Sequence, residues 1–104
     1  MTNTLIPTPS QVKPALADIV ISLNGRDKNK YFIVIETRDE YSLIADGKGR
    51  RIDKPKLKKN KHLKIMEKAQ ERIAEKLLAD EKVTNSEIRK ELAEYIVKTA
   101  SNDP

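Results

Sequence analysis

The residues best able to do chemistry are lysines and arginines crowded into one short stretch. Lys48, Arg50, Arg51, Lys54, Lys56, Lys58, Lys59, Lys61 and Lys64 share a segment with a single acidic residue, Asp53, giving it a net charge of +8. The whole chain of 104 residues carries only +5, so the segments on either side are slightly acidic. Cations at this density repel one another unless solvent or a polyanion screens them. Each can neutralise a phosphate and release a counterion. Lysine predominates, which favours charge contact with phosphate over bidentate reading of bases, and Arg50 and Arg51 are the side chains suited to directed contacts. A solvated charge run without a partner is the plain alternative, but solubility does not require such concentration. Arg26, Lys28 and Lys30 form a second cationic group around Asp27. They are expected to reach the same polyanion, with a local ion pair to Asp27 as the alternative.

Other chemistries find little support. His62 is the one histidine and the chain has no cysteine, which leaves no thiolate and no His–Cys metal set. In Lys61-His62-Leu63 it reads as a surface residue beside the polyanion or one packed at a sheet edge. Asp18, Asp27, Asp39, Glu40 and Asp46 match no metal-binding spacing, and acidic residues are common in turns. There is neither a phosphate-binding glycine loop nor a Gly-x-Ser-x-Gly elbow. No enzyme activity, cofactor or metal is therefore expected. Tyr31, Phe32 and Tyr41 are candidate base-stacking faces, with core packing as the alternative, preferred for Phe32 and open for Tyr41.

These side chains need a scaffold. Asp18 to Ser22, Tyr31 to Thr37 and Tyr41 to Ala45 read as short β-branched or aromatic strands joined by polar turns. The continuous apolar run of Tyr31 to Ile35 implies a strand covered on both faces. Further strands are expected near Arg50 to Lys54 and near His62 to Lys64, with Pro55 limiting pairing. From Ile65 the period becomes helical, with Met66, Ala69, Ile73 and Leu77 on one face. Thr84 and Glu87 form a capping box for a second helix, and Val83 with Ile88 a hydrophobic staple. Glu94 and Lys98 are an (i, i+4) pair on it. The fold class is thus α+β: a small antiparallel barrel over residues 15–64, then a helical hairpin over 65–104. Residues 1–14, with Pro7, Pro9 and Pro14 among polar residues, read as a flexible tail. No apolar run approaches the ~20 residues that cross a bilayer, and the N-terminus lacks a secretion-signal pattern, so a cytoplasmic protein is expected.

Four segments in order resemble the KOW-domain RNA-binding proteins, in the branch related to a small large-subunit ribosomal protein of archaea and eukaryotes. They are Ile19-Val20-Ile21-Ser22 leading to Gly25-Arg26-Asp27-Lys28; Tyr31-Phe32-Ile33-Val34-Ile35; Leu43-Ile44-Ala45-Asp46-Gly47; and Arg50-Arg51-Ile52 with Lys61-His62-Leu63. The resemblance covers a little under half the chain. It implies an SH3-like barrel that contacts RNA through its loops and basic strand. The family often has glycine where this chain has Asn29, and asparagine also tolerates positive φ, so Gly25 and Asn29 are expected to shape the turn.

Composition and resemblance together lead to an RNA-binding expectation, with ribosomal RNA of the large subunit as the partner. The expected contacts are Arg26, Lys28, Lys30, the lysines and arginines of the 48–64 tract, and His62. The helices are expected to pack on the barrel or dock ribosomal proteins. A protein-interaction module, with an exposed aromatic groove near Tyr31 or Tyr41, is the competing expectation. Nonspecific DNA binding is a third.

Overall fold

The computed structural model describes residues 13–100. The tail expected over 1–14 falls outside them except for Lys13 and Pro14, as does the polar end 101–104. Three of the strands form where β-branched and aromatic residues cluster: β1 (Asp18–Ser22), β2 (Tyr31–Arg38) and β3 (Tyr41–Ala45). They continue as β4 (Lys56–Lys59), a 3-10 turn (Asn60–His62) and β5 (Leu63–Lys68), then α1 (Glu71–Leu78) and α2 (Asn85–Ala100). The strands form one antiparallel sheet in the order β4-β3-β2-β1-β5.

The sheet is open, with β4 and β5 at its two edges, so the closed barrel expected from the sequence is not formed. It is nevertheless strongly curled. Flat strands ~4.8 Å apart would hold the two edges ~19 Å from each other. Only the 3-10 turn separates Lys59 from Leu63, and four Cα steps reach at most ~14 Å. The curl encloses one apolar cluster: Val20, Phe32, Val34, Ile44 and Leu63. A second lies between the sheet and the helices, where Ala17, Ile19 and Ile33 meet Ile73, Val83, Ile88, Leu92 and Tyr95. Consecutive residues of β2 thus point into different clusters, so both faces of that strand are covered as expected.

Two expectations are corrected. The fourth strand is not at Arg50–Lys54, which forms turns; it begins directly after Pro55. The backbone there is engaged elsewhere. Asp46 Oδ1 accepts the N–H groups of Lys48 (2.9 Å) and Arg50 (2.7 Å), and Lys54 N–H bonds Arg51 O at 2.9 Å. The helical period does not begin at Ile65, since β5 runs to Lys68 and α1 starts at Glu71. Register explains the misreading: Val20 pairs Ile65 and Ile19 pairs Glu67, leaving Met66 as a bulge. Ile65 faces the enclosed cluster and Met66 the helix-side cluster, and the phase shift at the bulge puts Ala69, three residues on, in the same cluster as Met66, a spacing that mimics a helix. β5 therefore crosses the boundary expected at 64/65, and the helices share a core with the sheet.

The capping box forms as read. Thr84 N–H donates to Glu87 Oε1 at 3.0 Å and Glu87 N–H to Thr84 Oγ1 at 3.1 Å, with Val83 and Ile88 buried in one cluster. Lys98 reaches across to Glu67 (2.6 Å), while Glu94 accepts from Gln70 at 2.8 Å. No helix among the described residues is long and apolar enough to cross a membrane.

Candidate nucleic-acid interface

The loop joining β1 to β2 is a closed polar turn. Ser22 N–H bonds Lys30 O and Asn29 N–H bonds Ser22 O, at 3.0 and 2.8 Å. Closure requires two left-handed residues, Gly25 at φ 78° and Asn29 at φ 70°, the pair expected to shape it. Arg26, Lys28 and Lys30 project from the loop and are exposed.

Two contacts fasten this loop to the basic tract. Asp27, nearly buried, accepts Arg50 Nη2 at 3.2 Å. Lys58 Nζ donates to the carbonyl of Asn24 at 3.0 Å. Asp27 therefore pairs across 23 residues of sequence and leaves the three cations of its own loop without its carboxylate. Leu23 N–H also bonds His62 O at 2.9 Å, which brings the 3-10 turn with Lys61 and His62 to the same end of the sheet. Burial, and then the ammonium groups of Lys61, Lys58 and Lys59, lower the His62 pKa below its ordinary value. The neighbouring ammonium groups thus disfavour a further positive charge on the imidazole.

The cations divide by their partners. Away from the interface, Arg38, Lys68, Arg72, Lys76 and Lys98 each lie within ion-pair distance of a carboxylate. Among the described residues, no carboxylate pairs with Arg26, Lys28, Lys30, Lys48, Lys54, Lys56, Lys58, Lys59, Lys61 or Lys64. Arg50 is committed to Asp27, and Arg51 has Asp53 at 3.9 Å. Lys13, Lys82, Arg89 and Lys90 also pair with no carboxylate among the described residues, but the unmatched cations are concentrated here.

The expected residues do not all converge. The 25–30 loop, Arg50, Lys58, Lys61 and His62 are drawn together by the contacts above. Lys48, Arg51 and Lys54 lie on the long β3–β4 loop, and Lys64 opposes Ile21 on β5. Tyr31 is half-buried against the helix-side cluster, its ring meeting that of Tyr95 edge-on at 5.6 Å, which is the core packing weighed as its alternative. Phe32 is wholly buried, whereas Tyr41 is 37% exposed. Among the described residues no three acidic or histidine side chains gather as a metal site would require.

Sequence reasoning missed the residues that hold the basic loop. Arg89 Nη1 donates to Gly47 O at 2.6 Å, and Asn85 Oδ1 accepts Ile52 N–H at 2.7 Å. Asn60 joins the 3-10 turn to the β2–β3 hairpin, accepting Ser42 Oγ at 2.6 Å and donating to Asp39 O at 2.9 Å. Only the Asp46-Gly47 turn was visible locally, because the partners of the others lie far away in sequence.

Compared with protein-family models and with curated proteins, the chain finds no match in either.

Proposed function

We propose that this protein binds folded RNA through the cationic surface built from the 25–30 loop, Arg50 and the Lys56–His62 segment. The observation that carries this reading is the partition of charge. Five of the nine described cations elsewhere lie beside carboxylates, whereas ten of the twelve in the loop and tract do not, which leaves them to a partner that is anionic and extended. Phosphate is that partner's natural chemistry. The curled five-stranded order, with its edges joined by a short 3-10 turn, supports an SH3-like KOW domain. The left-handed Gly25 and Asn29 fit the same reading. Ribosomal RNA of the large subunit is the proposed target, in the cytoplasm, and the protein is not an enzyme.

Binding is governed by shape and phosphate more than by base identity. With ~5 phosphates contacted, log K falls against log[salt] with a slope of roughly −3.5 to −4.5. The test is that slope, together with reversal of Lys56, Lys58, Lys59 and Lys61 to Glu. Affinity that is flat in salt, or that survives reversal in a folded variant, overturns the reading. In a lysate, sedimentation with the large ribosomal subunit at moderate salt supports the ribosomal target; absence from ribosomal fractions even at low salt refutes it. A second reading, a protein-interaction module, draws on the exposure of Tyr41 and Leu57 and predicts weak salt dependence.

A further inference from the structure

One sheet face is apolar at both ends but covered at only one. By register, Ile33 and Ala45 stand together on the face that the helices cover, and both are fully buried. Two residues along β3 from Ala45, on the same face, are Leu43 and then Tyr41. β4 adds Leu57 opposite Leu43 and Lys59 opposite Tyr41. The helices do not cover this end: Tyr41 is 37% and Leu57 46% exposed, and Leu43 is half-buried. On the β2 side the patch is bounded by Arg38, opposite Tyr41, whose charge Glu36 neutralises at 2.7 Å. On the β4 side it is bounded by Lys59, which has no carboxylate among the described residues.

The patch therefore combines a phenol ring, two leucines and an uncompensated ammonium along an open strand edge. β4 divides its side chains across that edge. Leu57 and Lys59 face the patch; Lys56 and Lys58 face the other way, Lys58 toward the 24–30 loop. A strand crossing β4 would set phosphates on lysines of both faces and a base on the apolar one. A paired helix cannot use this arrangement, because its bases are stacked inside and only its backbone is offered.

Resting on the RNA reading above, we infer that Tyr41 and Leu57 form a stacking platform for an unpaired nucleobase, so that the RNA recognised carries a single-stranded element beside its folded part. An aromatic ring stacks with any base, which agrees with a site poor in base-edge donors. The stacking contribution is uncharged and adds to the phosphate contacts without changing the number of counterions released.

The test measures binding of two labelled RNAs of equal length, a hairpin with an unpaired loop and a fully paired duplex, across a salt series. The proteins are the unaltered chain, Tyr41→Ala, Tyr41→Phe and Leu57→Ser, each checked for fold by circular dichroism. The inference expects Tyr41→Ala to bind the looped RNA roughly 5- to 150-fold more weakly with an unchanged salt slope. It expects Tyr41→Phe to keep the affinity and the duplex to show little difference among the variants. Equal affinity of Tyr41→Ala and the unaltered protein for the looped RNA, with steep salt dependence intact, overturns the platform and leaves the RNA reading standing. Equal losses on both RNAs also overturn it, since altered folding gives that result. Salt-independent binding, or none, overturns the RNA reading itself and points to a protein partner for the patch.

Discussion

The side-chain oxygen of Asn85, in the first turn of α2, accepts the backbone N–H of Ile52 at 2.7 Å. The bond joins the helical hairpin to the middle of the β3–β4 loop, which carries Lys48, Arg50, Arg51 and Lys54. Arg89, one turn further along α2, donates to Gly47 O at 2.6 Å. The helices thus hold cationic side chains in place while contributing little positive charge of their own. In this arrangement their acidic balance is no obstacle to a basic interface, because the contact runs through backbone groups.

Asn85→Ala removes the one hydrogen bond that the Ile52 amide makes among the described residues and is expected to cost about 1–2 kcal/mol. Loss should be local before it is global. Amide exchange at Ile52 is expected to accelerate more than exchange within β2. Uniform acceleration across the sheet would show that Asn85 serves the whole fold and not this loop in particular.

Gly47 stands where α2 crosses the loop. Its φ is +76°, and a Cβ there would strike the carbonyl oxygen of Asn85 and come within 3.0 Å of Arg89 Cγ. Gly47→Ala is expected to lose more than about 2 kcal/mol, combining left-handed strain with displacement of the helix. Gly49 has open space where a Cβ would be, so Gly49→Ala should change stability by under about 0.5 kcal/mol. Urea denaturation of the two variants gives the comparison, and equal stabilities would remove the close-approach argument.

How much of this was legible depended on the range of each interaction. β1, β3 and the start of α2 were readable because their signals are local: β-branched runs, and Thr84 and Glu87 three residues apart. The Gly25 and Asn29 turn was readable for the same reason. The β4 position was not, since Asp46, Arg51 and Asn85 consume the backbone groups that Arg50–Lys54 would need for a ladder. Met66 misled because one bulged residue reverses the faces of a strand. The cationic residues were visible as a list. Their assembly through Asp27–Arg50 and Asn24–Lys58 was not, because each contact spans a loop closure with no sequence signature.

Glu91 of α2 reaches the start of α1. Its side chain is 3% exposed, and Oε2 accepts Gln70 N–H at 2.7 Å, satisfying a backbone donor at the N-terminus of α1. The other oxygen has no hydrogen bond and faces Arg72 at 3.9 Å. Glu91→Ala is expected to destabilise by about 2 kcal/mol through the lost charged cap. Glu91→Gln keeps an acceptor for Gln70 but not the charge, and should fall between. Thermal unfolding orders the three proteins, and a Gln variant as stable as the unaltered chain would show that the charge contributes nothing.

Asn29 sits at φ 70°, where glycine is at ease and alanine is not. Asn29→Gly is expected to be within about 0.5 kcal/mol of the unaltered protein, and Asn29→Ala about 1 kcal/mol less stable. The same pair of variants separates shape from contact in the RNA binding proposed above. If the loop presents Arg26, Lys28 and Lys30 through its backbone form, the glycine variant binds as well as the unaltered chain. Weaker binding by the glycine variant alone would assign the Asn29 side chain a contact of its own.

Glu87 makes a stability difference that acid should erase. Its carboxylate accepts Lys76 Nζ at 2.7 Å and Thr84 N–H at 3.0 Å, joining α1 to the cap of α2. The hydrogen bond from Lys76, then that from the Thr84 backbone, hold its pKa down at about 2 against an ordinary 4.5. A carboxylate with a depressed folded-state pKa stabilises the fold above its unfolded value, and that stabilisation is lost as pH falls through the folded value. The advantage over Glu87→Gln should therefore be full above about pH 5 and shrink steadily toward pH 2. Because both partners are partly exposed and solvent screens the pair, the full difference is expected to be on the order of 1 kcal/mol. Denaturant midpoints of the two proteins from pH 7 to pH 2 test this. A gap that persists unchanged at pH 2 would mean that the variant's loss comes from packing or cap geometry rather than from the ionised carboxylate.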